Sequence, residues 1–337
     1  HFGALGATGG PVSILNNNLL TQSDFFTGAF PAEYGNALSG VFDLKMRTGN
    51  NEKREYTGQV GFNGFELGAE GPFSKDSKAS YLVNYRYSTL SLMEKLNLNT
   101  GVGAVPEYQD LSFNVNIPTE SGNISIFGIG GLSFIELDNE ERDSSDFSYN
   151  TYEGTKTRNG SDMGTIGVSY LHFLDENSRI KSGINYSINR VTTTVDSVAT
   201  EEREERMYYH ENNTQQKIGM YNKYINKLDP ANILELGLNV ENFMTSYVDS
   251  SYSTKYDNYI KQLDIRKDFL LLYQAYGQWE HKFTDNMSLY GGLNFEYFDY
   301  NDTWSLEPRF SFEWKLNKKE SLSAGYGYHS QLQPMFL

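Results

Sequence analysis

The sequence predicts an all-β chain: about twelve strands of an antiparallel transmembrane β-barrel, preceded by a short segment of different character. Three observations predict it. Long stretches alternate apolar with polar residues at a period of two, as where Leu111, Phe113, Val115 and Ile117 interleave with Ser112, Asn114 and Asn116. Turns joining strands in pairs are short, about three to eight residues, whereas most links between pairs run to about fifteen to twenty, the asymmetry of barrels with tight turns on one side of a membrane and long loops on the other. The composition suits long strands with aromatic cross-strand pairs, with 25 Tyr, 21 Phe and 31 Gly in 337 residues against 8 Pro and no Cys.

Taken in order, residues 1–22 hold GALGATGG and then PVSILNNNLL. No Lys follows those glycines at P-loop spacing and no strand precedes them, so they read as a surface loop. Ser23 to Gly49 is the hinge of the chain. Up to Ala37 it is aromatic and small, with Gly28, Pro31, Gly35 and Asn36 placed for tight turns. From Leu38 it becomes a short strand, SGVFDLKMR, in which Val41 alternates with Asp43 and Phe42 with Leu44 and Met46. Glu55 to Gly71 reads as one strand, Gly71 to Lys78 as a turn, and the return strand carries Tyr81, Val83, Tyr85 and Tyr87 on one face. LSLMEKL (Leu90 to Leu96) has the composition of a short helix.

Beyond the turn Pro118 to Gly122 a strand runs to Leu137, and an acidic loop to Asn159. Strands follow at Ser161 to Leu174 and Arg179 to Val195, then at Thr214 to Leu228 and Ile233 to Asp249, with a polar loop over Ser250 to Gln262. Residues 266–283 and 287–300 flank another short turn, and Leu271, Tyr273, Ala275 and Trp279 oppose Gln274, Gln278, Glu280 and Lys282. Trp304, Leu306, Phe310, Phe312, Trp314 and Leu316 alternate up to the turn Asn317 to Glu320, and a last strand begins at Ser321. Strands of about 12 to 17 residues exceed both the usual length in globular sheets and the length needed to cross a hydrocarbon core.

The same sequence disfavours several functions. A net charge of -15 argues against nucleic acid. The acid collects in Asp138 to Asp146 and Glu201 to Arg206, which read as solvated loops, the functional alternative being a cation or basic-ligand site at the mouth of the barrel. His1, His172, His210, His281 and His329 show no paired ligand spacing, and His172 and His281 fall near the short-turn end, where an interfacial girdle accounts for them. There is no G-x-S-x-G, no cysteine nucleophile and no distinctive carboxylate pair, so no catalytic, cofactor-binding or metal residue is assigned. Trp279, Trp304 and Trp314 read as a membrane-interface belt, with stacking on sugars as the alternative.

The run FTGAFPAEYGNALSGVFDLKMRTGN resembles the closing segment of the plug domain of TonB-dependent outer-membrane receptors, where the pattern G-x-x-P-A-x-Y-G-x-x-x-S-G-V passes into the first barrel strand. The matching residues are Gly28, Pro31, Ala32, Tyr34, Gly35, Ser39, Gly40 and Val41. The flanks, Gly9 to Phe26 and Asn51 to Phe73, resemble the branch whose members carry an N-terminal carboxypeptidase-regulatory-like domain. The resemblance implies that residues 1–50 are the C-terminal part of a plug and residues 51–337 the N-terminal part of a barrel, which has about twenty-two strands in that family.

It also implies a non-enzymatic importer in the outer membrane of a Gram-negative bacterium, carrying a nutrient ligand into the periplasm. The implied partners are TonB with its inner-membrane energising complex, outer-membrane lipid, the extracellular ligand and, as in the glycan-importing branch, a surface lipoprotein. His1 lies inside the resemblance and the closing QLQPMFL lacks the aromatic end of a terminal barrel strand, so a fragment is expected. The rival readings are a passive porin or surface adhesion barrel, which needs no plug, and a barrel enzyme. A closed twelve-stranded barrel is the competing geometry, and it would leave little room inside for a folded plug.

Overall fold

Period-two alternation sends the two halves of each strand to opposite faces, and the computed structural model realises it as a thirteen-stranded antiparallel sheet beside a two-stranded one. The structure describes residues 14–61, 64–75, 77–88, 107–138, 155–198 and 205–333. The glycine-rich start, the expected helix at 90–96, most of the acidic 138–146 stretch, residues 201–204 and the last four residues lie outside these.

The two-stranded sheet is a hairpin of β1 (Asp24–Thr27) and β2 (Gly40–Asp43), with Phe26 opposite Val41 and Thr27 opposite Gly40. The large sheet comprises β3 (Glu55–Gly61), β4 (Gly64–Pro72), β5 (Ser80–Tyr87), β6 (Glu107–Thr119), β7 (Gly122–Asp138), β8 (Thr155–Phe173), β9 (Ser178–Val198), β10 (Glu205–Asp229), β11 (Asn232–Ser253), β12 (Asn258–Thr284), β13 (Met287–Phe298), β14 (Thr303–Lys315) and β15 (Ser321–Gly327). Each pairs with the next in sequence, and β3 and β15 are its two edges. The sheet is therefore open, not the closed twelve-stranded barrel weighed above.

Three sequence expectations need correction. Glu55 to Gly71 is not one strand but the hairpin β3–β4, with Gly61 opposite Gly64, so the sheet has thirteen strands, not twelve. The Asn-Gly dipeptide at 63–64 is a hairpin signal, and Gly64 at φ 142 takes a conformation that L side chains rarely adopt. The strand expected over SGVFDLKMR is only β2, in its own hairpin, followed by a lone bridge from Met46 to Leu20; the large sheet begins at Glu55.

Third, the strands beside two expected polar loops run further than the sequence predicts. The expected loop over Ser250 to Gln262 shrinks to residues 254–257 between β11 and β12, and β12 runs for 27 residues. The cause is visible on β10, expected to begin at Thr214, where His210 and Asn212 on one face alternate with Glu211 and Asn213 on the other while the ladder to β9 continues unbroken from Tyr209 to Thr214. Both faces are polar there, so the ladder outlasts the alternation that marks a strand in sequence.

Register makes the contrast between the faces explicit. One row across β5 to β14 reads Tyr81, Val115, Ile126, Val168, Ile184, Met220, Val240, Tyr273, Tyr297 and Trp304. A row of the opposite face reads Ser80, Asn116, Ser125, Ser169, Gly183, Tyr221, Asn239, Gln274, Glu296 and Ser305. The apolar face is the uncovered one, with Leu238 61% and Trp304 67% exposed, while Asn294 and Glu307 on the polar face are wholly buried. This inverts a water-soluble sheet, which buries its apolar face and wets its polar one. Conventional apolar clusters are small, such as Leu270, Leu272 and Phe298.

Aromatic and histidine side chains collect on the apolar face near the strand ends. Trp279 stacks on His281 at 5.2 Å near the β12–β13 turn, and its indole donates to Asn232 at 3.0 Å. His172 lies near the β8–β9 turn, its Nδ1 3.0 Å from the Ser121 hydroxyl. Trp314 neighbours the β14–β15 turn, and Trp304 stands at the other end of β14.

Candidate functional site

What covers the polar face is the segment before β3. Its aromatic and small residues cannot form a long strand or helix, so its backbone groups need partners, and the sheet's polar side chains supply them. The densest contact is at residues 28–36. The Arg309 guanidinium donates through Nη1 to the carbonyls of Pro31 at 2.9 Å and Tyr34 at 2.6 Å, and through Nη2 to Glu307 at 2.5 Å. It also lies 4.6 Å from the centre of the Phe30 ring, a cation–π contact. Both charged side chains are fully shielded from solvent, and Glu307 accepts in addition from the Ser330 amide at 2.7 Å.

Around this clamp, the Ala32 amide donates to the Tyr290 hydroxyl at 3.2 Å, and its carbonyl accepts from Asn294 at 2.7 Å. The Glu33 amide donates to Gln278 at 3.2 Å, and the Asn36 amide to Glu296 at 2.6 Å. Asn36 itself is left-handed, at φ 51. The Glu33 carboxylate reaches Lys223 of β10, which also pairs with Glu235 of β11 at 2.6 Å. Burial and the neighbouring carboxylates Glu33 and Asp43 push the Tyr34 phenol up, so it stays protonated.

A second contact lies about the other edge. Arg47 makes a bidentate pair with Glu70 of β4 at 2.7 and 2.8 Å, and its carbonyl accepts from Asn114 of β6 at 3.0 Å. Asn16 donates to Asn84 at 3.0 Å, and Asn18 to Glu66 at 2.6 Å. The segment thus touches β4–β6 at one end and β10–β14 at the other. Between the contacts it leaves a cavity of about 800 Å³ against β6 to β10.

The eight residues singled out from the sequence divide into two groups. Gly28, Pro31, Ala32, Tyr34 and Gly35 meet the wall: Gly28, at φ 73, presents its carbonyl to His329 at 2.9 Å, and a Cβ on Gly35 would stand 2.1 Å from the Glu296 carboxylate. Gly40 and Val41 pair within the β1–β2 hairpin, and Ser39 is exposed beside it. A Cβ on Gly40 would fall 2.7 Å from the Phe26 carbonyl, which explains the glycine there without any role at the wall. The residues that hold the segment, Arg309, Glu307, Asn294, Glu296 and Lys223, were not singled out, because each sits on a strand face where any polar residue fits the alternation.

An open antiparallel sheet with an apolar outer face and a chain segment fastened to its polar inner face is the architecture of outer-membrane transporter barrels. No family model matches the sequence, and no curated protein matches it. Solved structures do. The chain superposes on the copper transporter OprC with a TM-score of 0.63 at 13% identity, covering 90% of this chain and 49% of that one. For the outer-membrane transporter YddB from Escherichia coli the TM-score is 0.60 at 11% identity, over 94% and 49% of the two chains. For a mutant of the ferric enterobactin receptor PfeA from Pseudomonas aeruginosa it is 0.62 at 14%, over 94% and 50%. The fold is that of TonB-dependent receptor barrels, and the chain spans about half the length of these structures.

Proposed function

We propose that the chain is part of a TonB-dependent outer-membrane transporter, residues 1–50 being the end of its plug and residues 51–337 the first part of its barrel. The observation that carries this reading is the fastening of residues 28–36 to a polar sheet face by Arg309, Asn294 and Glu296, while the other face exposes Leu238, Phe310 and Trp304. Such a wall suits a wet interior, and such an outer face suits lipid. In the whole protein a nutrient ligand enters from outside, and TonB, driven by the inner-membrane proton-motive force through a region outside this chain, pulls the plug to open a path. The open sheet edges and the half-length match agree with a larger barrel. The carboxypeptidase-regulatory-like domain and a surface lipoprotein partner belong to this proposal too.

Two measurements test it. Full-length protein taken gently from its native outer membrane is expected to crosslink to TonB and to retain a small-molecule ligand detectable by mass spectrometry; a bare barrel with neither would transfer the reading to a passive porin or adhesin. Leu238→Arg, in the middle of the apolar face, is expected to cost about 2–4 kcal/mol of stability in bilayers. A loss under about 0.5 kcal/mol, as for an ordinary surface change in water, would remove the lipid-facing assignment.

A further inference from the structure

Strand lengths are unequal along the wall, and the step from β12 to β13 leaves a ladder unfinished. β12 has 27 residues and β13 only 12, so their pairing ends at Leu272 opposite Phe298, while pairing with β11 continues to Asn258 opposite Ser253. Asp299 closes the step: its amide donates to the Leu271 carbonyl at 3.1 Å, and its carboxylate accepts from the Leu271 amide at 2.8 Å. Beyond that point no described residue pairs with this side of β12. Unlike β3 and β15, the outer edges of the sheet, β12 has a neighbour on both sides lower down.

Leu271 fixes the direction of the unpaired groups. Its amide and carbonyl face β13, and backbone groups alternate sides along a strand. A bulge between the pairs Phe243–Leu270 and Thr245–Lys267 shifts the count by one, after which Lys267, Ile265 and Leu263 face Thr245, Tyr247 and Asp249 of β11. Asp264 and Arg266 therefore turn their amides and carbonyls to the free side. The stretch is open, with Ile265 44% and Phe269 75% exposed. It lies beyond the aromatic row Tyr273, Tyr297 and Trp304, on the side away from the short turns. Lys261 and Arg266, both paired with Asp264, blunt the edge against indiscriminate strand pairing.

A free ladder edge dictates the chemistry of what covers it. Donors and acceptors alternating along one line fit another extended backbone, with Leu263 and Ile265 meeting its alternate side chains. Ordering a free peptide costs more per residue than one hydrogen bond returns, whereas a strand of a folded protein is already ordered. We propose that residues 262–269 of β12 are a docking edge for an exposed strand of a folded partner protein outside the cell, added to the sheet where β13 stops. That the edge faces outward rests on the function proposed above; that it accepts a strand does not.

Deuterium exchange at single-residue resolution tests this on the full-length protein, in outer-membrane vesicles washed free of small solutes and after purification. The Asp264 and Arg266 amides are expected to exchange at least about tenfold more slowly in the vesicles, while the Ile265 amide, facing β11, is protected in both. R266P removes one free-side donor and leaves the β11 ladder whole, as proline on an edge does. It is expected to abolish the slowing at Asp264, which R266A keeps; D264P against D264A, read at Arg266, repeats the test should R266P unfold the hairpin and unprotect Ile265. Fast exchange at both amides in the vesicles would overturn the docking edge, and so would slowing that the prolines leave intact. Slowing retained after purification would assign the cover to the rest of the same chain, and slowing present only before washing would assign it to a free peptide; either overturns the folded partner. Failure of the transporter reading would appear instead as missing TonB crosslinks, which these rates do not depend on.

Discussion

Replacing Arg309 with methionine is expected to release residues 28–36 from the wall at a cost of about 3–5 kcal/mol, the range for removing one partner of a buried ion pair. Methionine keeps much of the apolar stem, so the change isolates the guanidinium. That group carries two backbone carbonyls of the segment, Pro31 and Tyr34, and the charge of Glu307. Without it the carboxylate is left in a site from which solvent is absent, with Ser330 as its nearest donor at 2.5 Å through the hydroxyl. The stacked pair Phe30 and His329, 4.1 Å apart, loses the cation that lies 4.6 Å from the centre of the phenyl ring. Hydrogen exchange on the full-length protein checks this: protection at residues 28–36 collapses in R309M while that of β8 to β10 is kept. Adding E307Q restores part of it, because the uncompensated charge is gone. Unchanged protection at 28–36 in R309M would show that the clamp does not hold the segment.

Arg309 also marks where sequence reasoning stops. Its own strand was legible, since Trp304, Leu306, Phe310 and Phe312 alternate at period two whatever they face. Which way that face points was legible too, once aromatic composition and turn asymmetry had suggested a barrel. The partner was not. Pro31 lies 278 residues away from Arg309 in sequence, and nothing local distinguishes an arginine that grips a segment from one that lines a wet wall. Strand ends failed for a different reason: from His210 to Asn213 neither face is apolar, so the backbone ladder persists without a side-chain signal. The segment was recognisable from its glycines and Pro31, but the pattern mixed residues that meet the wall with residues, such as Gly40 and Val41, that only build the β1–β2 hairpin. Gly49, which in the sequence only closes the hinge stretch, turns out to be a point of close approach to the sheet.

Gly49→Ala is expected to lift the other end of the segment. A Cβ there would lie 2.0 Å from the Tyr81 carbonyl oxygen and 2.6 Å from its carbon. At Gly35 the obstructing atoms are side-chain ends that can swing away, but Tyr81 is backbone of β5, held between β4 and β6 through Gly71 and Val115. The sheet cannot yield, so the segment must. Moving it strains the Arg47–Glu70 pair, the Asn50 amide bond to Glu70 at 2.8 Å and the Asn114 bond to the Arg47 carbonyl. Losing that set costs about 2–4 kcal/mol at roughly 1 kcal/mol for each hydrogen bond. Because this contact and the Arg309 clamp grip separate parts of the sheet, their losses should add. G49A is therefore expected to expose amides 45–50 to exchange and leave 28–36 protected, R309M to do the reverse, and the double variant to free the whole segment while the β7–β12 ladder persists. If G49A instead exposes 28–36 to the same extent, the segment is one rigid body with a single hold, and the cavity between its two ends is not bounded by independent contacts.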